Sequence, residues 1–284
     1  MMIKKGVLVL VVLAFVVVAS FSAMADDHVL RVGATPVPHA EILEFVQDDL
    51  AERGIELEII EFTDYVTPNL SLDDGSIDAN YFQHIPYLDQ FNADRGLDLV
   101  PVARVHVEPI ALYSDKYDSL EAIPEGASIA VPNDPSNEGR ALILLHNSGV
   151  ITLDDPENLN ATPIDIVDNP KNLRFNELEA AQLPRVLPDV AGAVINTNYA
   201  LEANLNPLDD ALVIEDSDSP YVNVVAVRSE DQDNEKIKIL REVLNSQKVE
   251  DFILEEYQGA VVPAFTPVDA EDVSEEAVRS NYIF

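Results

Sequence analysis

The chain has 284 residues, of which 52 are acidic and 17 are basic, giving a formal net charge of −35 at pH 7. Nucleic acid is excluded as a partner, because its phosphates would be repelled by this charge. With 47% apolar residues, the chain can build one large or two medium α/β domains. The acidic excess is typical of a solvated surface, such as that of an organism living at high salt, and does not by itself indicate a binding site.

The N-terminal segment has the pattern of a secretory signal peptide. A pair of lysines precedes the apolar run GVLVLVVLAFVVV, and the small-x-small sequence AMA follows. The run is shorter than the roughly 20 residues that span a bilayer. We therefore expect residues 1–25 to be removed as a signal peptide. The sequence has no Cys, which predicts a protein without disulfides or an N-terminal lipid, free in the periplasm.

Strands and helices alternate in the first part of the mature chain. HVLRVGAT is typical of a buried strand, PVPHAEILEFVQDDLAERG of an amphipathic helix ending at Gly54, and IELEIIEF of a second strand. Such a βαβ unit forms a parallel sheet, which receives ligands at the carboxyl ends of its strands. Tyr65 and the pair Thr35-Pro36 follow these strands, so we expect them at that edge.

The stretch DANYFQHIPYLDQF, residues 78–91, concentrates ring side chains in a chain that is only 7% aromatic and has no Trp. A proline begins the predicted helix 86–95, so a strand should end just before it. Rings at such a junction can line a cleft. The alternative is that Phe82 and Tyr87 are core residues and that His84 is a surface or capping histidine.

The second half repeats the alternation. LDLVPVARVHVEPIALYS predicts two strands in tandem, which suggests a crossover between lobes. A helix near Ser119, the strand SIAVPN and a helix from about Glu138 to Gly149 should follow. AGAVINTNYALEANL predicts another strand and helix. ALVIED and YVNVVAVRSE are expected as strands, the latter returning to the first lobe, and DNEKIKILREVLNSQKVEDFILEEYQG as two closing helices.

The segment DPSNEGRAL is the most informative polar site. Asp134-Pro135 predicts a turn, Ser136 or Asn137 a helix cap, and Arg140 a place in the first helical turn. An arginine there is explicable if it shares a carboxylate with the free backbone N–H groups. The alternative is an ordinary cap, with Arg140 extending to the acidic surface.

Two asparagines, Asn196 and Asn223, end apolar strands, where an amide can bind a ligand, although asparagine there also forms turns. The sequence lacks the GxSxG, P-loop, HExxH and dinucleotide-binding patterns. The histidines show no metal-ligand spacing. We therefore expect no enzyme, no cofactor and no bound metal.

Ordered blocks give the chain a family resemblance. FTDYVTPN, DANYFQHIPYLDQF, VPNDPSNEGRALILL, NPKNL, FNELEAAQLPR, AVINTNYA and SPYVNVVAVR resemble the substrate-binding protein of methionine ABC importers, the NlpA/MetQ-like family. The resemblance implies an α/β fold, a two-lobed periplasmic binding protein of type II-like form. Each lobe would be a mixed sheet flanked by helices, with two crossover strands as the hinge. Lobe 1 would comprise residues 26–110 and 223–265, lobe 2 residues 111–222, and residues 266–284 an acidic C-terminal extension.

The resemblance also implies that L-methionine, or a close analogue, is captured by closure of the lobes and delivered to an ABC permease and its ATPase at the inner membrane. We expect a monomer. Carried over by block, the resemblance implies three parts of the site. The aromatic cradle for the ligand side chain would be Tyr65, Phe82, His84 and Tyr87. The carboxylate clamp would be Arg140 with Asn137 nearby, and the polar contacts would be Asn196 and Asn223.

Other interpretations stay open at this point. The ligand could be another apolar amino acid or a Met dipeptide. A metal-ion receptor of the same fold would use His39, His84 and His106 with carboxylates. A hydrolase would need an activated nucleophile, for which the sequence shows no candidate. Many similar proteins carry a lipid-bearing cysteine where this chain has AMA, so we expect this protein to be periplasmic and not lipidated.

Overall fold

A computed structural model describes residues 28–216 and 219–267. The predicted signal peptide and nearly all of the predicted C-terminal extension lie outside these residues. Within the described ranges, no helix combines the length and the apolar character needed to cross a membrane.

Strands and helices follow one another along the described chain. The strands are β1 (Val29–Ala34), β2 (Glu56–Glu61), β3 (Ala79–His84), β4 (Leu99–Val107), β5 (Ala111–Tyr113), β6 (Ser128–Pro132), β7 (Thr152–Leu153), β8 (Ile166–Asp168), β9 (Arg174–Leu178), β10 (Gly192–Ile195), β11 (Ala211–Ile214), β12 (Val222–Arg228) and β13 (Val262–Pro263). The helices are α1 (Glu41–Phe45), α2 (Gln47–Glu52), α3 (Thr67–Asp73), α4 (Ile85–Arg95), α5 (Pro135–Asn147), α6 (Leu183–Val186), α7 (Thr197–Glu202), α8 (Glu235–Leu244) and α9 (Gln247–Tyr257).

Two mixed sheets carry the fold. The six-stranded sheet has the order β13-β4-β12-β3-β1-β2, and the five-stranded sheet has the order β11-β5-β10-β6-β9. In the first, β1 is parallel to β2 and β3, whereas β12 is antiparallel to β3 and β4. In the second, β6 is parallel to β9 and β10, whereas β5 is antiparallel to β10 and β11. Each sheet therefore mixes a parallel part with antiparallel strands at one side.

The chain passes between the sheets twice. Residues 108–110 connect β4 to β5, and residues 215–221 connect β11 back to β12. The predicted tandem strands are thus β4 and β5, which belong to different sheets. Because both passages lie at one end of the sheets, side chains on them can reach both halves of the molecule.

The first helix was predicted as continuous, and its apolar face is confirmed. Ile42, Leu43, Val46 and Leu50 are all fully buried against the six-stranded sheet. The helix is nevertheless divided into a short turn at residues 36–40, α1 and α2. Val46, between α1 and α2, has φ −98° and ψ 2°, outside the helical range. The two pieces still present one apolar stripe, since residues on both sides of the break are buried in the same core cluster.

Two local predictions were wrong. The segment around Ser119 forms turns in place of a helix. Helix α5 begins at Pro135, earlier than the expected Glu138, because a proline at the first helical position loses no hydrogen bond. The N-cap is Asp134, whose Oδ1 accepts the backbone N–H of Asn137 at 3.0 Å, so neither Ser136 nor Asn137 caps the helix.

Candidate functional site

A small cavity lies between the two sheets. The lining combines rings, amides and two charged groups, and consists of Tyr65, Phe82, Gln83, His84, Tyr87, Glu108, Asn137, Arg140, Asn196, Thr197, Asn198 and Asn223. All eight residues predicted from the sequence are therefore brought together at one place, from segments up to 158 positions apart.

One wall of the cavity is aromatic. Tyr65 lies with its ring centroid 6.0 Å from that of Phe82 and 5.8 Å from that of Tyr87. The Tyr87 hydroxyl donates to the backbone carbonyl oxygen of Tyr65 at 2.7 Å, which holds the Tyr87 ring, and the Tyr65 ring is held by its own hydroxyl, which donates to Oδ1 of Asn198 at 2.6 Å. Phe82 and Tyr87 also pack with Phe91 in a buried cluster. Phe82 and Tyr87 are therefore core residues and cavity-lining residues at the same time, so the two interpretations do not exclude each other.

His84 caps helix α4 and lines the cavity as well. Its Nδ1 accepts the backbone N–H of Tyr87 at 3.1 Å, so the ring proton sits on Nε2, which donates to Oδ1 of Asn137 at 3.1 Å. Burial, together with the nearby charge of Arg140, lowers the pKa of His84 to about 3. The imidazole is thus neutral at pH 7, and it joins an aromatic wall of the first sheet to a helix of the second.

Arg140 lies in the second turn of α5. We expected it in the first turn, beside the free backbone N–H groups, and this prediction was wrong. The start of the helix at Pro135 shifts the arginine by a turn. Its guanidinium reaches inward: Nη2 donates to the carbonyl oxygen of Glu108 at 2.6 Å, and Nε and Nη2 both donate to the carboxylate of Glu215. The alternative of an arginine extending to the surface is wrong, because the side chain is only 2% exposed.

Two asparagines at the start of α7 present buried polar atoms without a hydrogen-bond partner among the described residues. Asn196 donates from Nδ2 to Oδ1 of Asn137 at 2.7 Å, but its own Oδ1 is unpartnered. Asn198 accepts from the Tyr65 hydroxyl at 2.6 Å, but its Nδ2 is unpartnered. Sequence reasoning missed Asn198, although it lies two positions beyond Asn196 in the same strand-to-helix junction.

Glu108 is the second residue that sequence reasoning missed, since a lone glutamate after a strand carries no pattern. It is 6% exposed, on the passage from β4 to β5. Its Oε1 lies 2.7 Å from Nε2 of His106 and 3.2 Å from Nε2 of His39. Its Oε2 accepts the backbone N–H of Asn198 at 2.9 Å. The carboxylate thus connects the first sheet to helix α7 of the second.

Hydrogen bonds fix the state of both histidines beside Glu108. Nδ1 of His39 lies 2.7 Å from the hydroxyl of Thr35, and Nδ1 of His106 contacts the hydroxyl of Tyr81. These hydroxyls can donate to Nδ1, which leaves each Nε2–H free to donate. That of His106 donates to the carboxylate of Glu108 at 2.7 Å, and that of His39 donates to Oδ1 of Asn223 at 3.1 Å. Burial lowers the pKa of His39 to about 4 and that of His106 to about 3. Both rings are therefore neutral donors at pH 7.

The donor set of His39, His106 and Glu108 is also one that could hold a divalent ion. Their ligand atoms lie within 4.8 Å of one another, and two imidazoles with a carboxylate suit Zn²⁺. Both Nε2 atoms are, however, engaged as hydrogen-bond donors, that of His106 to Oε1 of Glu108 at 2.7 Å and that of His39 to Oδ1 of Asn223 at 3.1 Å. His84, the third histidine of the metal-receptor interpretation, lies instead against Asn137.

Known proteins resemble this chain over most of its length. The D-methionine-binding lipoprotein MetQ of Salmonella typhi is 45% identical over 240 residues, which cover 84% of this chain and 89% of the relative. The protein of the same name from Escherichia coli K12 is 43% identical, with the same coverage. A crystal structure of a nutrient binding protein from Burkholderia cenocepacia bound to methionine superposes with a TM-score of 0.80 at 48% identity, covering 83% of this chain and 100% of that one.

These similarities confirm several predictions. The fold class is that of the MetQ-type substrate-binding proteins. The function is substrate binding and not catalysis, because the relatives are named for binding. The predicted family resemblance is confirmed as well, at an identity high enough to carry the fold with it.

The predicted location is wrong. We expected a periplasmic protein without a lipid because the sequence contains no Cys. The relatives from Salmonella typhi and Escherichia coli are named lipoproteins, a term for proteins held at a membrane by a lipid.

The family itself is shown by a match that spans most of the chain. A family model described as NlpA lipoprotein matches residues 30–265. This range contains every lining residue of the cavity and both passages between the sheets. The chain belongs to the NlpA lipoprotein family.

Proposed function

We propose that the protein captures methionine in the cavity and delivers it to an ABC importer. The observation that carries this proposal is the amphipathic lining, with rings on one side and buried charged and amide groups on the other. Such a cavity suits a small zwitterion that has an apolar, unbranched side chain. The proposal is supported by the relatives, which are named for D-methionine binding, and by the Burkholderia cenocepacia structure with methionine.

The aromatic wall is the proposed cradle for the ligand side chain. Tyr65, Phe82, His84 and Tyr87 offer ring faces and edges within one lining. A thioether gains roughly 0.3–1.5 kcal/mol from each favourable sulfur–aromatic contact. An alanine side chain cannot reach these rings, so the wall should favour methionine over small amino acids.

The polar lining is the proposed site for the amino-acid head group. Arg140 would hold the carboxylate. Its Nε and Nη2 atoms donate to Glu215 and Glu108, and Nη1 takes part in none of these bonds. A buried polar atom without a partner costs about 1–3 kcal/mol. Asn196 Oδ1 and Asn198 Nδ2 are such atoms, one an acceptor and one a donor. A zwitterion supplies groups of both kinds, and Asn137 and Asn223 complete the lining.

Lobe closure is the proposed mechanism. We propose that residues 26–110 and 223–265 form one lobe, that residues 111–222 form the other, and that the protein acts as a monomer. Tyr65, on the first lobe, donates to Asn198 on the second, and His84 donates to Asn137 in the same way. Contacts of this kind can form only when the lobes are together, so a ligand that adds further contacts would shift the population towards the closed form.

The decisive experiment is calorimetric titration with L-methionine, D-methionine and alanine, on protein unfolded and refolded to remove any bound ligand. Ligand at 100 times its dissociation constant should stabilise the fold by about 2.7 kcal/mol, which a thermal shift detects. Phe82→Ala should weaken methionine binding more than alanine binding. Phe91→Ala is the matched control, because Phe91 packs in the same cluster without lining the cavity. If no amino acid shifts the melting temperature, the proposal is wrong.

A further inference from the structure

We propose that Glu108, held by His106 and by the backbone N–H of Asn198, is the counter-charge for the α-ammonium group of the ligand, so that the site selects for a free amine. This inference rests on the proposed function and goes beyond it, because it names the residue that recognises the amine of the ligand. The remaining lining would accept a carboxylate and an apolar side chain whether or not an amine were present.

Glu108 is the carboxylate of the cavity. Among the residues that the structure describes, it is the one acidic side chain in the lining. It is 6% exposed, and burial raises the pKa of its carboxyl group. A carboxylate so far removed from water is costly unless donors or a cation compensate it.

The groups that contact this carboxylate are dipoles and not charges. Oε1 accepts from the Nε2–H group of His106 at 2.7 Å, and Oε2 accepts the backbone N–H of Asn198 at 2.9 Å. Nε2 of His39 lies 3.2 Å from Oε1, but its hydrogen bond goes to Oδ1 of Asn223 at 3.1 Å. Thr35 and Tyr81 engage the opposite nitrogen of each ring, which keeps the two imidazoles as neutral donors. The carboxylate is therefore oriented by two N–H donors, with the neutral ring of His39 beside it, and none of these groups neutralises it.

The nearest cation is committed elsewhere. Arg140 directs Nη2 to the carbonyl oxygen of Glu108 and not to its carboxylate, and its charge is paired with the carboxylate of Glu215. Arg140, Glu215 and Glu108 together carry one excess negative charge when both carboxyls are ionised. An ammonium group at Glu108 would balance it, and a zwitterion would do so while presenting its carboxylate to the remaining donors of the lining.

Zn²⁺ is the other cation that this cluster could take, because two imidazoles and a carboxylate are known zinc ligands. A zinc ion would need both Nε2 atoms deprotonated, with both Nδ1–H groups donating to the hydroxyls of Thr35 and Tyr81. The hydrogen bonds from Nε2 of His106 to Oε1 of Glu108 and from Nε2 of His39 to Oδ1 of Asn223 favour protonated Nε2 atoms. The ammonium assignment is therefore the better supported of the two.

The test is calorimetric titration of the wild type and of Glu108→Gln with methionine and with its 2-hydroxy analogue, in which a hydroxyl replaces the amine. Loss of a charge-assisted hydrogen bond should weaken methionine binding by Glu108→Gln about 10- to 150-fold. Binding of the hydroxy analogue, which is weak in the wild type, should change less than about threefold. Glu242→Gln is the control, because it removes one negative charge from a pair with Arg53 at the surface.

The outcomes separate the inference from the proposed function. If the wild type binds methionine and Glu108→Gln binds it equally well, the inference fails while the function stands. If Glu108→Gln does not fold, the wild type alone decides, because equal affinity for methionine and the hydroxy analogue also overturns the inference. If Zn²⁺ added alone binds the wild type and is lost in Glu108→Gln while methionine binding is unaffected, the cluster is a metal site. If the wild type binds neither methionine nor its analogue, the proposed function itself is wrong.

Discussion

The guanidinium of Arg140 donates to both carboxylate oxygens of Glu215, from Nε at 3.0 and 3.2 Å and also from Nη2. The ring of Tyr221 lies against the guanidinium, with its centroid 4.3 Å from Cζ. Arg140 is therefore oriented by the protein itself, and Glu215 lies on the passage that returns from the second sheet to the first. The residue proposed to bind the ligand carboxylate is thereby coupled to the connection between the lobes.

Arg140→Ala should weaken methionine binding about 10- to 150-fold, because it removes a charge-assisted hydrogen bond. It should also lower the free energy of unfolding by about 1–3 kcal/mol, since the half-buried carboxylate of Glu215 loses its partner. The double variant Arg140→Ala/Glu215→Gln should be more stable than the sum of the single changes predicts. Urea unfolding and calorimetry measure both effects. Unchanged methionine affinity in a folded Arg140→Ala protein would show that the carboxylate is held elsewhere.

Gly139→Ala should destabilise the protein, although alanine usually stabilises a helix by about 1 kcal/mol relative to glycine. A Cβ atom at Gly139 would lie 2.1 Å from the carbonyl oxygen of Leu159. The segment that contains Leu159 would have to move, at a cost of about 1–3 kcal/mol. Asn147→Ala, at the exposed end of the same helix, is the control. A melting temperature equal to or above that of the wild type would contradict the close packing.

Glu138→Gln should stabilise the protein above pH 7, and this advantage should disappear as the pH falls towards 4.5. Burial, with the neighbouring carboxylates of Glu177 and Asp134, raises the pKa of Glu138 to about 7. The folded state therefore binds a proton between about pH 4.5 and pH 7 that the unfolded state does not, and the wild type gains stability from this group as the pH falls through that window. Oε1 of Glu138 is buried without a partner, so the neutral amide avoids the cost of burying a charge.

Chemical unfolding of Glu138→Gln at pH 8 and at pH 4.5 tests this sign. Glu52→Gln, a change at an exposed helical position, serves as the control for the loss of one charge. An advantage that is equal at both pH values would show that folding does not raise the pKa of Glu138.

Salt should raise the melting temperature. The formal charge of −35 creates repulsion within the folded state. Salt screens exposed charges over a Debye length of about 10 Å at 0.1 M and about 3 Å at 1 M. Calorimetric melting at low salt and at 1 M and 2 M NaCl would show the trend, with KCl as a check that the cation is not specific. A flat or falling melting temperature would argue against adaptation to salt.

The order of strands and helices could be predicted because it depends on local patterns. The alternation in HVLRVGAT and IELEIIEF and the apolar stripe from Ile42 to Leu50 are satisfied by pairing and burial close to each residue. The start of α5 was predicted less well, since the choice between Asp134 and Asn137 as cap depends on which backbone N–H each side chain reaches. The eight candidate residues came from the family resemblance, and the cavity unites them.

The sequence by itself therefore determined the fold class, the family and the residue types of the candidate site. Only the tertiary structure decided the charge balance of that site. Arg140 and Glu215 are 75 positions apart, and Glu108 and Asn198 are 90 apart. No periodicity records such pairs, because each is formed when the chain passes between the sheets and excludes water from side chains that would otherwise be solvated. Burial then sets His39, His84 and His106 as neutral donors, a state that depends on desolvation and not on neighbours in the chain.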